Sequence, residues 1–350
     1  MARDKVAVAM SGGVDSSAVA YMLQKEGYDI CGITMVIANS QHSEKEKKTV
    51  EDAKLVAEFL GIEHHVIDLK KEFYNTVIKQ FLTEYEKGRT PNPCVTCNKY
   101  IKFGALLSHA KRLGYNKIAT GHYVIQKYNE NTGMYEIHRA DDLTKDQTYM
   151  MYNLNQQTLK HTMFPLGNYP KAKVRELAHE WSLPIANKGE SQEICFIDDN
   201  DYKKYWQEHS SKKAIAGNLL DIRGQVIGKH YGIQNYTIGQ RKGLGVALGY
   251  PAYVTKINAK NHTVTIGKNE NLFKTKLAVN SVNWLAGQQP KNNELLAKIR
   301  YRSKPEPAKI IKTVKDKVII EFEKPQRAIT PGQSAVFYDG DKLLGGGLIA

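Results

Sequence analysis

The chain has 350 residues, room for two or three domains of ordinary size, and 41% of them are hydrophobic, the balance of a globular protein with a buried core. Lys and Arg number 50 against 36 Asp and Glu, a formal charge of +14, and residues 266–350 hold 15 basic against 8 acidic side chains, so half of the excess lies in the last quarter. No apolar run approaches the roughly 18 residues of a membrane span, the opening Met1-Ala2-Arg3-Asp4 lacks the apolar core of a signal peptide, and four cysteines are too few for a secreted disulfide framework, so the expectation is a cytoplasmic protein with no membrane partner.

Residues 5–10 (KVAVAM) read as a short apolar strand, 11–17 (SGGVDSS) as a turn, and 18–25 as a helix stopped by Gly27. A second strand is expected over 30–36. The charged segment 39–48 (NSQHSEKEKK) reads as a loop, and 37–48 contains no Trp or Cys. Residues 49–60 place Val50, Ala53, Val56, Ala57 and Leu60 at helical spacing, closed by Gly61. A third strand over 64–69 and a third helix over 73–86 follow, then a loop over 88–98, a helix to about Leu113, and a fourth strand over 117–120. Strands alternating with helices of this length predict an α/β domain with a parallel sheet, whose ligands bind at the carboxyl ends of the strands. From about Asn218 the composition turns to glycine and β-formers, with turns at Pro331-Gly332 and Asp339-Gly340. The predicted division is 1–205, a nucleotide-binding α/β domain, then two small β units over 206–265 and 266–350.

Three motifs carry chemistry. In Ser11–Ser17, glycines let the backbone approach a phosphate, the opening N–H groups of the helix point at the anion, Ser11, Ser16 and Ser17 offer hydroxyls, and Asp15 suits Mg²⁺. The G-x-x-x-x-G-K-[ST] pattern of kinase-type NTPases is missing. The second motif is RTPNPCVTCNKYIKF over 89–103. Two prolines stiffen it, and Cys97 is expected just before a helix, where the helix terminus, Lys99 and Lys102 would favour a thiolate. At a pKa of ~8.5 an unperturbed thiol is only ~3% ionised at pH 7, so such help matters. Alone, Cys94-x-x-Cys97 is ambiguous among a structural zinc, a redox and a catalytic pair. In the third motif, ESQEICFI over 190–197, a cysteine between Ile194 and Phe196 ordinarily reads as a buried apolar filler. The basic balance of the chain attracts polyanions, nucleic acid first, although a solvated lysine-rich face gives the same count.

The Ser11–Ser17 run resembles the PP-loop of ATP pyrophosphatases, which cleave ATP between the α and β phosphates. Taken with PNPCVTCNKYIKFG, ATGHY (119–123), KDQTYM (145–150), FPLG (164–167), SQEICFI, YTIGQRKGLG (236–245), KIRYR (298–302) and PGQSAVFYDG (331–340), in that order, the chain is similar to the tRNA-specific 2-thiouridylase family from end to end. That resemblance implies a PP-loop domain, a small central β domain and a C-terminal, tRNA-binding β-barrel. It implies ATP and Mg²⁺ as cofactors and 2-thiolation of the wobble uridine in tRNAs for Lys, Glu and Gln. It implies that Ala9, Met10, Ser11, Gly12, Gly13, Val14, Asp15 and Ser16 hold ATP phosphates, with Met35 and Gly121 along the adenosine. Asn92, Pro93 and Cys94 would border the flipped base, and His122, Lys145, Asp146, Gln147, Arg300, Tyr301 and Gln333 would contact tRNA. Cys195 would carry a persulfide delivered by a cysteine desulfurase or sulfur-carrier relay, and Cys97, the nucleophile, would either attack it to free sulfide or resolve the linkage, ending in a Cys97–Cys195 disulfide. Many members carry Asp where this chain has Cys94. That change brings in an alternative, a [4Fe–4S] cluster on Cys94, Cys97 and Cys195, with zinc on the same three as a weaker one. Cys31 reads as an apolar strand residue. Two rival functions remain at this level: an amide-forming PP-loop synthetase acting on a small acid, and a non-enzymatic RNA binder.

Overall fold

The computed structural model describes residues 4–37, 43–189, 194–197 and 201–350. The expectations for 39–42 and for 190–193, ahead of Cys195, lie outside the described residues.

In chain order the strands of the first unit are β1 (Lys5–Ala9), β2 (Asp29–Val36), β3 (His64–Asp68), β4 (Lys117–Ala119), β5 (Val124–Asn129), β6 (Met134–Arg139) and β7 (Thr162–Met163). Five of them form a parallel sheet in the order β3-β2-β1-β4-β7. Val6, Ala7 and Val8 of β1 are fully buried, as the central strand of a sheet covered on both faces must be. The chain leaves β1 toward β2 on one side and reaches β4 on the other. The crevice above β1 and β4 is therefore the topological switch point where such sheets take ligands.

The helices refine the expected boundaries. The first spans Val14–Lys25 and so begins inside the predicted turn: Gly13 is the extended N-cap and Asp15 stands in the first turn, where a carboxylate suits the helix dipole. The second spans Ser43–Leu60, which overturns the loop expected over 43–48; Glu44 and Glu46 occupy its first turn, and Glu46 Oε1 accepts a hydrogen bond from the Ile37 amide (2.6 Å). A third helix runs over 70–86. A fourth runs over 93–112, with Pro93 in its opening turn and wide π turns across Asn98–Leu106. The loop ahead of it is therefore shorter than expected, ending at Asn92.

A four-stranded sheet follows, built from β8 (Gly217–Leu220), β9 (Val226–His230), β10 (Tyr253–Asn258) and β11 (Thr263–Gly267) in the order β10-β11-β8-β9. The last six strands are β12 (Phe273–Trp284), β13 (Glu294–Lys298), β14 (Glu306–Val314), β15 (Lys317–Arg327), β16 (Ser334–Asp339) and β17 (Lys342–Ile349). They run antiparallel in the order β12-β15-β14-β13-β16-β17, and pairing of β12 with β17 closes them into a barrel, which leaves no open edge. The hairpin β5–β6 departs from the parallel domain and joins β17 at His138 and Lys342. Apolar residues of the first unit and of the barrel share one core there, with Tyr149, Tyr152, Val336, Tyr338 and Leu343 all buried in it. No helix among the described residues is long and apolar enough to cross a membrane.

Candidate active site

The loop after β1 is held closed by its own hydroxyls. Ser16 Oγ accepts from the Ser11 amide (3.1 Å), and Ser16 and Ser17 Oγ donate to the Gly13 carbonyl (3.2 and 3.0 Å). Ser17 is fully buried and Ser16 nearly so, whereas Ser11 is exposed. The Ser17 hydroxyl thus shapes the loop and is not the outward donor expected of it. Gly121, at the end of β4, leans directly on this turn: a Cβ there would sit 2.9 Å from Asp15 Cβ and 3.1 Å from Ser16 N. Only glycine lets the segment after β4 approach the opening turn of the helix so closely. Met35 sits half-buried near the carboxyl end of β2.

Asp15 does not present a bare carboxylate. Its Oδ1 accepts from Lys171 Nζ (2.5 Å) and from Tyr123 Oη (2.7 Å), and both of these residues are almost completely buried. Lys188 Nζ donates to the Gly12 carbonyl (2.9 Å) and to Asp52 Oδ2 (2.5 Å). The loop is therefore framed by two lysines that the motif reading did not include. No local pattern marks either; Lys171 simply opens the helix Lys171–Glu180 after Pro170. A carboxylate already neutralised by an ammonium repels an incoming polyphosphate less, and the ammonium can pass to the phosphate when it arrives.

The cysteines gather elsewhere. Cys97 lies inside the helix over 93–112, five residues in, because Pro93 starts that helix earlier than expected; Cys94 is the one near its N-terminus. Cys97 is buried, while Cys94 and Cys195 are open to solvent within a recess that protein surrounds on most sides. Cys195 is not the apolar filler its neighbours suggest. Phe196 takes that place, edge-on to Phe73 (5.5 Å), Phe81 (5.3 Å) and Tyr205 (5.3 Å), and so leaves Cys195 outside. The three thiols are close enough that Cys97 feels the charge of both others.

Burial dominates their acidity. It pushes the Cys97 thiol up to about 12 and the Cys195 thiol up to about 11, and raises Cys94 as well, while the Lys102 ammonium pulls each of the three back. This reverses the expected thiolate at Cys97: the helix terminus is too far away, and Lys99 lies over the Tyr100 ring instead (5.3 Å). Lys102 is held by His122, whose Nε2 must accept from the ammonium (3.2 Å), so that Nδ1 carries the proton and donates to Thr120 Oγ1 (2.7 Å). Burial and the Lys102 charge keep the His122 imidazole neutral, its pKa well below the usual range. Among the described residues no three His, Cys, Asp or Glu side chains stand where they could hold one metal ion.

Several residues that the resemblance sets against tRNA turn inward. Asp146 is buried, accepting from the Thr148 amide (3.2 Å) and hydroxyl (2.9 Å) and facing Arg139 Nε (3.6 Å) and Lys298 Nζ (3.9 Å). Gln147 Oε1 accepts from the Tyr123 amide (2.9 Å). Arg300 Nη2 donates to the carbonyls of Ile238 (3.3 Å) and Ala328 (2.9 Å), and Gln333 Nε2 donates to those of Thr90 (2.9 Å) and Pro91 (3.3 Å). His122 is buried as well, whereas Lys145 is half-buried. Tyr301 is exposed at the rim of the recess, near enough for its phenol to feel Cys94. Asn92 donates weakly to Met150 Sδ (3.6 Å), which steadies the residue that caps the cysteine helix.

Comparison with known proteins agrees with this three-part build. Family models match end to end: a tRNA methyl transferase HUP domain over residues 4–199, a tRNA methyl transferase PRC-barrel domain over 203–268 and an aminomethyltransferase beta-barrel domain over 274–349. A tRNA-specific 2-thiouridylase of Thermoanaerobacter sp. (strain X514) is 48% identical, covering 99% of this chain and 98% of the relative. Another, of Clostridium botulinum (strain Langeland), is 50% identical, covering 100% of this chain and 99% of the relative. With the PP-loop at the switch point of a parallel sheet, three converging cysteines and a closed C-terminal barrel, the chain belongs to the tRNA-specific 2-thiouridylase family.

Proposed function

We propose that this enzyme uses ATP to replace the C2 oxygen of a uridine in tRNA by sulfur, giving 2-thiouridine, AMP and pyrophosphate. The observation that carries the reading is the convergence of Cys94, Cys97 and Cys195, from segments nearly a hundred residues apart, in one recess beside the barrel. An amide-forming synthetase needs no such pair of thiols, and a simple RNA binder needs no intact PP-loop.

The oxide on C2 is a poor leaving group. Transfer of AMP to it makes a good one, and the amides of residues 11–16 with the Lys171 and Lys188 ammonium groups offset charge on the departing pyrophosphate. Mg²⁺ would enter with the triphosphate and find Asp15 as its protein ligand, adding charge neutralisation there. In the second stage the terminal sulfur of a Cys195 persulfide attacks C2 and AMP leaves with the electron pair. Cys97, as thiolate, then attacks the Cys195 sulfur, which releases the thiocarbonyl and leaves a Cys97–Cys195 disulfide; two electrons from an external thiol reset it. Lys102 is the cation placed to favour the thiolate in that step. The base must leave its stack to reach the recess, where Asn92, Pro93 and Cys94 would border it. The wobble uridine of tRNAs for Lys, Glu and Gln is the substrate position this reading assigns, with a cysteine desulfurase or carrier relay as sulfur source. The divisions at 205 and 265 would then separate catalysis, a central connector and RNA binding.

The test is pyrophosphate release by the purified enzyme, together with mass spectrometry of tRNA from a deletion strain. Release that depends on tRNA, and loss of 2-thiouridine from the strain, are expected. Release that depends on a small carboxylic acid would support the synthetase instead.

A further inference from the structure

Arg300 and Gln333 reach inward, and what they hold is the approach to the cysteine helix. Arg300 Nη2 gathers three acceptors: Ile238 O (3.3 Å) beside the four-stranded sheet, and Ala328 O (2.9 Å) and Thr330 Oγ1 (3.0 Å) in the turn that leads into β16. Arg300 Nε is buried without a hydrogen-bond partner, so this geometry is kept at the cost of one unmade bond. The next three residues of the turn clasp the loop that precedes the helix over 93–112. Pro331 O accepts from the Thr90 amide (2.9 Å), and Gln333 Nε2 donates to Thr90 O (2.9 Å) and Pro91 O (3.3 Å). Because both acceptors are carbonyls, only the amide nitrogen of Gln333 can serve them. Gly332 (φ +88°) passes so near that a Cβ would stand 3.0 Å from Arg89 Cβ and from Thr90 N and O. The loop between β9 and β10 adds a fourth hold, since Thr90 Oγ1 donates to Thr237 Oγ1 (3.3 Å). Beyond this grip come Pro91, Asn92 and Pro93, two prolines with fixed φ, and then Cys94, so a shift of the loop is passed on to the cysteine helix.

We propose that Arg300 and Gln333 are positioning residues: Arg300 holds the barrel's 328–330 turn in place, Gln333 fastens the end of that turn to the 89–92 loop, and together they set where Cys94 and Cys97 present themselves. The idea deepens the thiolation reading and rests on it for the meaning of the recess. The barrel that would carry RNA is, through this chain of bonds, the element that places the thiols. Both residues then matter in the protein without RNA.

The experiment uses full-length protein carrying Gln333→Glu, which removes the donor, and Arg300→Gln, with Gln333→Lys as the variant that keeps one. Hydrogen exchange is followed over 89–97 without RNA or ATP, and thiolation kinetics and tRNA affinity are measured alongside. Loss of one or two such bonds should speed exchange over 89–97 by about threefold to tenfold in Gln333→Glu and Arg300→Gln. kcat should fall by a similar factor, KM and tRNA affinity should hold, and Gln333→Lys should stay near the parent. Unchanged exchange in Gln333→Glu overturns the proposal, as does an Arg300→Gln protein whose only change is a flatter salt dependence of RNA binding, the mark of a lost phosphate contact. If Arg300→Gln does not fold, Gln333→Glu decides alone. Exchange needs no substrate, so a parent enzyme that never thiolates RNA would sink the functional reading and leave this one standing.

Discussion

The PP-loop end and the thiol recess are built on opposite principles. The first is one contiguous strand–turn–helix whose hydroxyls and carboxylate already bond to one another and to side chains brought from elsewhere, with Ser16, Ser17, Tyr123 and Lys171 all buried. The second is assembled from a helix, a distant segment holding Cys195 and a barrel loop, and its thiols rest protonated. A phosphate is met by fixed backbone dipoles, so its site gains from being finished before the ligand comes. On the thiolation reading, sulfur transfer would need a nucleophile only when a base is in place, and raised thiol pKa values would keep the recess unreactive in the interval. Preorganisation belongs to one end and restraint to the other.

The sharpest way to break this contrast is to disable each end alone. Lys171→Met should cut tRNA-dependent pyrophosphate release by about a hundredfold or more, since it leaves Asp15 without its cation beside the phosphates. Alkylation of Cys195 by iodoacetamide should then proceed at the parent rate. Cys195→Ser should do the reverse, with no detectable 2-thiouridine and normal pyrophosphate release. If Lys171→Met also altered Cys195 alkylation, the two ends would be one coupled site.

The contrast also explains what was legible in the sequence. SGGVDSS announces itself because the core of the expected phosphate cradle is contiguous in the chain; Tyr123 on Asp15 and the lysines at 171 and 188, brought by tertiary packing, carry no such local signal. For the recess, the sequence named the residues and not their states. Pro93 moved the helix start and carried Cys97 from terminus to interior, and Phe196 took the core position that left Cys195 exposed. Composition showed the β character after residue 218. The hairpin β5–β6 was not visible, because VIQKYN and MYEIHR bury little on either face and owe their place to β17 of the barrel. Charge proved the least reliable guide: Lys298 counts toward the basic excess yet lies buried beside Asp146, its pKa lowered by desolvation.

Restraint at the recess has a pH signature. With Cys195 pushed up to about 11, roughly one thiol in ten thousand is ionised at pH 7, and its alkylation should rise about tenfold per pH unit from 7 to 10. The folded-state pKa stands above the reference of 9.0, so the stability this group contributes is present below about pH 9 and is lost as pH rises through about 11. Lys102→Met should move the alkylation profile higher still, since it removes a charge that favours the thiolate. A profile that levels off near pH 8 would mean the thiol is activated at rest. At the other end, Gly121→Ala should weaken ATP binding about tenfold by pressing a methyl within 3.1 Å of Ser16 N, while Cys195 alkylation is untouched.

The smallest expected effect concerns how RNA reaches the recess. Tyr301 stands at the rim within the field of Cys94, and Arg302 and Lys304 follow it on the same exposed loop, whereas Arg300 and Lys298 turn inward. A nucleotide delivered to Cys94 would run its backbone past that loop, so Arg302 and Lys304 are the cations available to its phosphates. Each such contact is solvent-exposed and worth little singly, yet each releases counterions, and the sum shows in the salt dependence. Arg302→Ala with Lys304→Ala should flatten the slope of log K against log salt by one to two units, with an affinity loss of about tenfold at moderate salt. Pyrophosphate release at saturating tRNA should be unchanged, because neither side chain belongs to the phosphate cradle or the thiols. An unaltered slope would move the RNA path off this rim and would leave Tyr301 near Cys94 as a packing residue of the recess wall.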